Sequence, residues 1–333
     1  MTNIDKIKVA GDHRVQRQSI RINDKTYGYL TAEPASGFSR TVFLTSQWDG
    51  AIKFPSSYNM AFVWFALTAL DTGDQWDSPT EPLSSYSLKS QCQDFRDFAE
   101  KLGCRRIIVG GHDWGAMFAY RFALYFPEFV THLITFVVPY IPPSPEYVSP
   151  VDLAKSTPSF GYQAQLGSEE GIVEANTQDK DGIYRFLNTL YGGSTSDGKY
   201  AFSAMAGVDF ALASQLSHTR LLDAEEMEYY MNEYARNGLR GPCNYYRIHH
   251  LNFLDELGLF TKQNTTPKIE VPTLFIRATR DTVITSTMVD VMLGYFLQLT
   301  VENVGSSHWI LWERPERVNG ILKEWLQQQH LIK

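Results

Sequence analysis

Two hydrophobic rhythms alternate along the 333-residue chain. Short runs rich in β-branched and aromatic residues predict strands. They are "SIRI" (19–22), "TYGYLTA" (26–32), "TVFLT" (41–45), "FALTAL" (65–70), "RIIVGG" (106–111), "LITFVV" (133–138), "TLFIRA" (273–278) and "LTVENV" (299–304). Between them, apolar residues recur at helical spacing in "SLKSQCQDFRDFAEKLG" (87–103), "WGAMFAYRFALYFPEF" (114–129) and "RPERVNGILKEWLQQQH" (314–330). Gly103 closes the first of these as a natural C-cap. The first two strands read as an antiparallel pair turned at "NDK", and the remainder alternate with helices. That alternation predicts an α/β fold: a mostly parallel, eight-stranded sheet with helices on both faces.

The middle of the chain breaks this rhythm. "PYIPPSPEYVSPVD" (139–152) holds five prolines, and from there to about 255 the sequence is helical, tyrosine-rich and poor in strand signal. Strand patterns resume at 273, so the segment reads as an insertion within the sheet domain rather than a second domain appended to it. The expected organisation is a core of residues 1–141 and 256–333, with an all-helical cap of residues 142–255 over the carboxyl ends of the strands.

Composition narrows the function classes. Net charge is −7 and the basic residues are scattered, which argues against nucleic acid or an acidic membrane surface as partner. The longest apolar run, "MAFVWFALTAL" (60–70), is too short to cross a bilayer of roughly 30 Å, and the first residues lack the apolar core of a signal peptide. Three widely spaced cysteines, Cys92, Cys104 and Cys243, have no metal-ligand spacing and suit a reducing compartment. The expectation is a cytoplasmic globular protein that uses no metal or cofactor, with a homodimer left open.

Candidate chemistry begins at "GGHDWGA" (110–116), where a buried strand runs straight into a helix. Gly111 and Gly115 flank a position that needs small neighbours, as at a nucleophile elbow, and that position holds Asp113. The start of the helix at Trp114 would favour the ionised carboxylate. An aspartate there is equally a good helix cap, so the pentapeptide alone leaves two readings open. Downstream partners separate them. Asp281 follows the strand "TLFIRA", and His308 lies in a glycine-serine loop between the last strand and the last helix. The order nucleophile, acid, histidine at three strand ends is that of the α/β-hydrolase triad.

With those residues in place, the chain resembles the epoxide hydrolase and haloalkane dehalogenase group of α/β-hydrolases. The resemblance covers most of the chain and is strongest in the G-x-D-W-G elbow, in "TRDTVI" around Asp281 and in "SHWILWERPERV" around His308. It implies a small-molecule substrate with an electrophilic sp³ carbon. Asp113 would attack that carbon to form an alkyl ester, and His308, oriented by Asp281, would activate the water that hydrolyses it. Two inserted blocks are similar to epoxide hydrolases in particular. "SFGYQAQLGSEEGIVEAN" (159–176) brings Tyr162 and "GPCNYYRI" (241–248) brings Tyr246, and the resemblance makes these phenols the donors to the epoxide oxygen.

Backbone N–H groups of Trp114 and of the loop carrying Gln47 and Trp48 are the candidate oxyanion donors. Here the sequence departs from the family: "TVFLT" runs into "SQWDGAIKFP" where His-Gly-x-Pro is usual, and "DTGDQWDSPT" only loosely resembles the glycine-rich loop that follows. That departure suggests an enzyme specialised for one metabolite. The expected activity is hydrolysis of an epoxide to a vicinal diol, a hydrolase reaction on an ether bond. The alternatives are dehalogenation, cyclisation by a hydroxyl of the substrate itself, and a non-catalytic binder of the same fold. An intact Asp113, Asp281 and His308 set argues against the last.

Overall fold

The computed structural model describes residues 15–32, 41–45, 62–66, 82–260 and 265–332. These divide between two compact units: Met1–Trp76, Leu88–Pro145 and Asp255–Lys333 form the first, and Asp77–Ser87 with Glu146–Leu254 form the second.

The first unit is built on an eight-stranded sheet. Its early strands are β1 (Val15–Ile22), β2 (Lys25–Ala32), β3 (Thr41–Thr45) and β4 (Phe62–Ala66). Helix α1 (Leu88–Lys101) then leads to β5 (Ile107–His112), α2 (Trp114–Tyr125) and β6 (Val130–Phe136). The β1–β2 hairpin turns on Asn23 and Asp24, both at positive φ (47° and 64°), a geometry these two side chains tolerate and one that matches strand twist. The "NDK" turn thus forms as the sequence predicts. The fourth strand starts earlier than the expected 65–70, and residues 67–70 lie outside the described residues.

Gly103 ends α1 at φ 76°. Its N–H donates to the Glu100 carbonyl and the Cys104 N–H to that of Ala99, so two carbonyls at the helix end are satisfied. Phe95 and Phe98 of α1 and Phe118 and Phe122 of α2 are wholly buried. Phe95 meets Phe118 and Phe122 edge-on at 5.4 and 5.0 Å, pairs worth about 0.5–1.5 kcal/mol each beyond their area burial. These contacts fix α2, and with it the turn that precedes it.

The second unit begins with α3 (Pro150–Ser156), α4 (Tyr162–Leu166), α5 (Ile172–Asn176) and α6 (Lys180–Leu190). A two-residue ribbon follows, β7 (Phe202–Ser203) against β8 (Gly207–Val208). Then come α7 (Phe210–Ala213), α8 (Ala224–Asn237), α9 (Arg240–Asn244) and α10 (His249–Glu256), the last ending in the first unit. The all-helical expectation therefore needs one amendment, the ribbon, which Gln165 clamps through its Oε1 and Nε2 to the Val208 backbone at 2.7 and 2.8 Å. A second difference is that residues 82–87, assigned to the core on sequence, group with this unit. Tyr86 packs edge-on to Tyr245 at 6.2 Å.

The chain completes the sheet with β9 (Thr273–Ala278), α11 (Ser286–Met292), β10 (Leu299–Val304), α12 (Ile310–Glu313) and α13 (Pro315–Gln328). Strand order is β1-β2-β4-β3-β5-β6-β9-β10, antiparallel at the β1–β2 and β2–β4 pairs and parallel thereafter. The order reverses between β3 and β5, the switch point where an open parallel sheet leaves a crevice at its carboxyl ends.

Arg121 on α2 ties the two places where the chain leaves and re-enters this unit. Its guanidinium pairs bidentately with Glu256 (2.7 and 3.1 Å) and donates to the Ile141 carbonyl at 2.9 Å, with both charged side chains buried. Arg121→Met should cost about 3–5 kcal/mol, because it strands the Glu256 charge. Adding Glu256→Leu should recover most of that loss in urea unfolding. A single variant as stable as wild type would contradict this account.

Candidate active site

Register aligns the carboxyl ends of four adjacent strands. His112 of β5 pairs with Phe136 of β6, Phe136 with Ile276 of β9, and Ala278 of β9 with Val304 of β10. Asp113, Asp281 and His308 each follow one of these ends within a few residues, so the three expected side chains are brought together. Tyr162 and Tyr246 lie in the other unit and are described below by themselves.

Asp113 sits at φ 54° and ψ −118°, between the last residue of β5 and the first of α2. Such a conformation costs on the order of 1–3 kcal/mol and persists only where surrounding structure imposes it. The packing of Gly111 shows what imposes it: a Cβ there would lie 2.1 Å from the Gly115 carbonyl oxygen, so only glycine admits the start of α2 so close to β5. Asp113 makes no side-chain cap bond to α2. The helix-cap reading of this aspartate therefore fails on geometry, and its carboxylate is turned elsewhere. Trp114 is buried as the first residue of α2.

The His308 ring stands between two carboxylates, with Nδ1 2.7 Å from Asp281 Oδ2 and Nε2 3.7 Å from Asp113 Oδ1. Asp281 is almost fully buried, at 1% side-chain exposure, while His308 keeps 28%. Burial alone would push the Asp281 carboxyl up. The His308 hydrogen bond and charge, together with the Ile284 and Val283 N–H groups (2.9 and 2.6 Å), outweigh it and hold the carboxyl below its ordinary value. An ionised Asp281 can only accept, so Nδ1 of His308 donates to it, and Nε2 lies on the Asp113 side. At 3.7 Å the second contact is longer than a hydrogen bond. His308 is thus bonded to Asp281 and stands farther from Asp113.

A second histidine holds the loop from behind. His112, wholly buried, donates from Nε2 to the His308 carbonyl oxygen at 2.9 Å, which fixes its tautomer, and the two rings lie 4.9 Å apart. The sequence offered it only as an unremarked letter of the elbow. Val137, just after β6, is a second strained position at φ 68°, closed by a Val138 N–H to Phe136 carbonyl bond of 2.8 Å. A β-branched residue rarely adopts that backbone, and no sequence signal marked it.

Within the inserted unit, Tyr162 opens α4 and Tyr246 follows α9. Both are largely buried and their rings meet at 5.8 Å, edge to face. Gly167 lets the end of α4 approach, since a Cβ there would lie 2.5 Å from the Tyr246 carbonyl oxygen. Arg247 locks the arrangement by donating to the Ser168 carbonyl (2.8 Å), to Glu174 (2.7 Å) and to Asn244 (3.0 Å). The two tyrosine blocks expected from sequence are therefore neighbours. Trp48 and Gln47, with the rest of the segment that departs from His-Gly-x-Pro, lie outside the described residues. Among the described residues no cluster of three or more His, Cys, Asp or Glu side chains could hold a metal ion, and no helix is long and apolar enough to cross a membrane.

A family model of the alpha/beta hydrolase fold matches residues 72–315. The chain is 31% identical to epoxide hydrolase srdG of Neurospora crassa over 95% of its own length and 97% of that protein. It is 27% identical to bifunctional epoxide hydrolase 2 of Mus musculus over 92% of its length, spanning 56% of that longer protein. A Vigna radiata epoxide hydrolase mutant superposes with a TM-score of 0.74 at 19% identity, covering 95% of this chain and 99% of that one, a likeness of fold. The chain belongs to the alpha/beta hydrolase fold family, among its epoxide hydrolases.

The depressed Asp281 carboxyl carries a stability consequence. Its native proton affinity is lower than in the unfolded chain, so its contribution is fully present above an ordinary aspartate pKa of about 3.9. That contribution is lost as pH falls through the lower native value. Asp281→Asn should flatten the acid side of a thermal-midpoint profile taken from about pH 5 downward. An unchanged acid slope would show that the carboxylate is not stabilised as described.

Proposed function

We propose that this chain hydrolyses epoxides to vicinal diols in two steps, through an alkyl ester on Asp113. In the first step an Asp113 oxygen attacks one oxirane carbon in line with the breaking carbon–oxygen bond. The electron pair of that bond goes to the epoxide oxygen, which takes a proton from the phenols of Tyr162 and Tyr246. In the second, Nε2 of His308 removes a proton from water, and the oxygen adds to the Asp113 carboxyl carbon. Collapse of the tetrahedral adduct breaks its bond to the diol oxygen, which takes the adduct's hydroxyl proton as the carboxylate re-forms, and the proton held by His308 passes through solvent to the phenolate left by the first step. The proposed oxyanion donors are the backbone N–H of Trp114 and one from the segment of Trp48.

The observation that carries this reading is the unequal placement of His308, 2.7 Å from Asp281 and 3.7 Å from Asp113. A serine in that position would need its proton removed before attack, and so a direct hydrogen bond to the imidazole. An aspartate needs none, so a 3.7 Å gap between the two is compatible with attack by the carboxylate. The tyrosine pair favours an epoxide over a halide: phenols with an ordinary pKa of roughly 10 can protonate a leaving alkoxide, whereas a halide needs no proton.

His308→Gln should leave the first step working and block the second. Intact-protein and peptide mass spectrometry after incubation with styrene oxide should find the substrate mass added to the peptide that contains Asp113. Wild-type turnover with no adduct in the variant would sink the covalent scheme.

The double replacement Tyr162→Phe with Tyr246→Phe removes two hydroxyls and little volume. Its rate of Asp113 alkylation by an epoxide should drop by on the order of 10²–10⁴-fold, the range for lost general-acid assistance, with circular dichroism unchanged. Near wild-type diol production by that variant would remove the tyrosines from the mechanism. Halide release from a haloalkane would move the assignment to dehalogenation.

A further inference from the structure

His308 is held at its ring by Asp281 and at its carbonyl by His112, and a further side chain acts on the loops that carry the His308–Asp281 pair. Glu313, the last residue of α12, joins those loops. Its Oε2 accepts the Ser307 N–H at 3.1 Å and its Oε1 accepts the Ser307 hydroxyl. The same Oε2 stands 3.4 Å from Arg280 Nη2, which also donates to the Gly305 carbonyl at 3.0 Å. Ser307 immediately precedes His308, and Arg280 immediately precedes Asp281. One carboxylate therefore grips the neighbour of each partner. Between the loops the backbone adds an Arg280 N–H to Ser306 carbonyl bond of 2.9 Å.

We infer that Glu313 is a positioning residue for the His308–Asp281 pair, acting in the ester-hydrolysis step alone; the inference rests on the two-step reading above. Stability does not account for the arrangement. Arg280 is 60% exposed, and an ion pair so open to water contributes little to folding. The Ser307 N–H and hydroxyl bonds are the strong part, and they act on the residue beside the base. A displacement of about 1 Å at a catalytic group costs up to about 10²-fold in rate, so small slack in this loop matters far more to chemistry than to the fold. Only the second step uses His308 as a base. Attack by Asp113 on the epoxide does not depend on where Nε2 points.

The test measures the two steps separately by rapid quench and mass spectrometry of the Asp113 peptide, with styrene oxide as substrate. In Glu313→Ala, ester formation should stay within about twofold of wild type while ester hydrolysis slows by on the order of 10- to 100-fold, so that the adduct accumulates during turnover. His308 faces Asp281, Asp113 and His112; loosening its bond to Asp281 disfavours the imidazolium, so the pH at half-maximal hydrolysis should move lower. Ser307→Ala, which keeps the Ser307 N–H bond to Glu313, should shift both readouts the same way by less. Equal slowing of both steps, no change in either, or slower hydrolysis with an unmoved pH midpoint and a loss of helical signal would overturn the role. His308→Gln run in parallel separates the failures. No adduct there defeats the two-step mechanism, while an adduct there with normal hydrolysis in Glu313→Ala defeats only the positioning.

Discussion

The arrangement rests on one backbone constraint, the turn at Asp113 where β5 becomes α2 within a single residue. A chain entering a helix directly from a buried strand has no room for relaxed dihedrals, so Asp113 is forced to φ 54° and ψ −118°. The strain is met by packing on both sides. β5 is zipped between β3 and β6, and α2 is pinned by aromatic contacts with α1 and by the Arg121–Glu256 pair. Gly111 permits the contact that makes the turn this tight. A side chain lifted by such a turn leaves the plane of the sheet and is unavailable to cap its own helix. The strain is thus what separates the Asp113 carboxylate from an ordinary N-cap.

A second layer of order comes from the parallel register. Because β5, β6, β9 and β10 end together, short loops suffice to bring residues nearly two hundred positions apart in sequence within reach of one another. Each loop is then fixed by its own polar bonds. Asp281 is seated by two backbone N–H groups in the turn that follows β9, and His308 is seated by His112 at its carbonyl. Polar atoms buried among aromatic walls are costly unless satisfied, so these bonds leave little choice of geometry.

Much of this was legible in the sequence, and unevenly so. Strands β3, β9 and β10 occupy the residues their runs predict, and β9, almost wholly buried, shows the continuous hydrophobic signature of a strand covered on both faces. Turn chemistry at Asn23, Asp24 and Gly103 was equally plain, because few residues accept positive φ. Asp113, Asp281 and His308 emerged from their positions at strand ends, a signal of order and spacing. The ribbon β7–β8 did not emerge: two-residue strands held by a glutamine side chain have no periodicity to read. His112, Ser307, Arg280 and Glu313 were equally silent. Their significance lies in contacts between loops whose distance the fold alone decides, and a glutamate ending a short helix two residues before a proline is common enough to pass as a surface residue.

The difference between a serine and an aspartate at position 113 reaches into the spacing of the whole site. A serine couples nucleophile to base, and any slack between them costs the attack itself. In the mechanism proposed above an anionic nucleophile would uncouple the two steps, so that the histidine could be aimed at a later intermediate. The 3.7 Å separation from Asp113 and the 2.7 Å bond to Asp281 fit that division of labour. His308 itself keeps partial exposure. Burial is concentrated instead on Asp281, whose task is to stay ionised and still, and its two backbone donors allow a charge to remain where water does not reach.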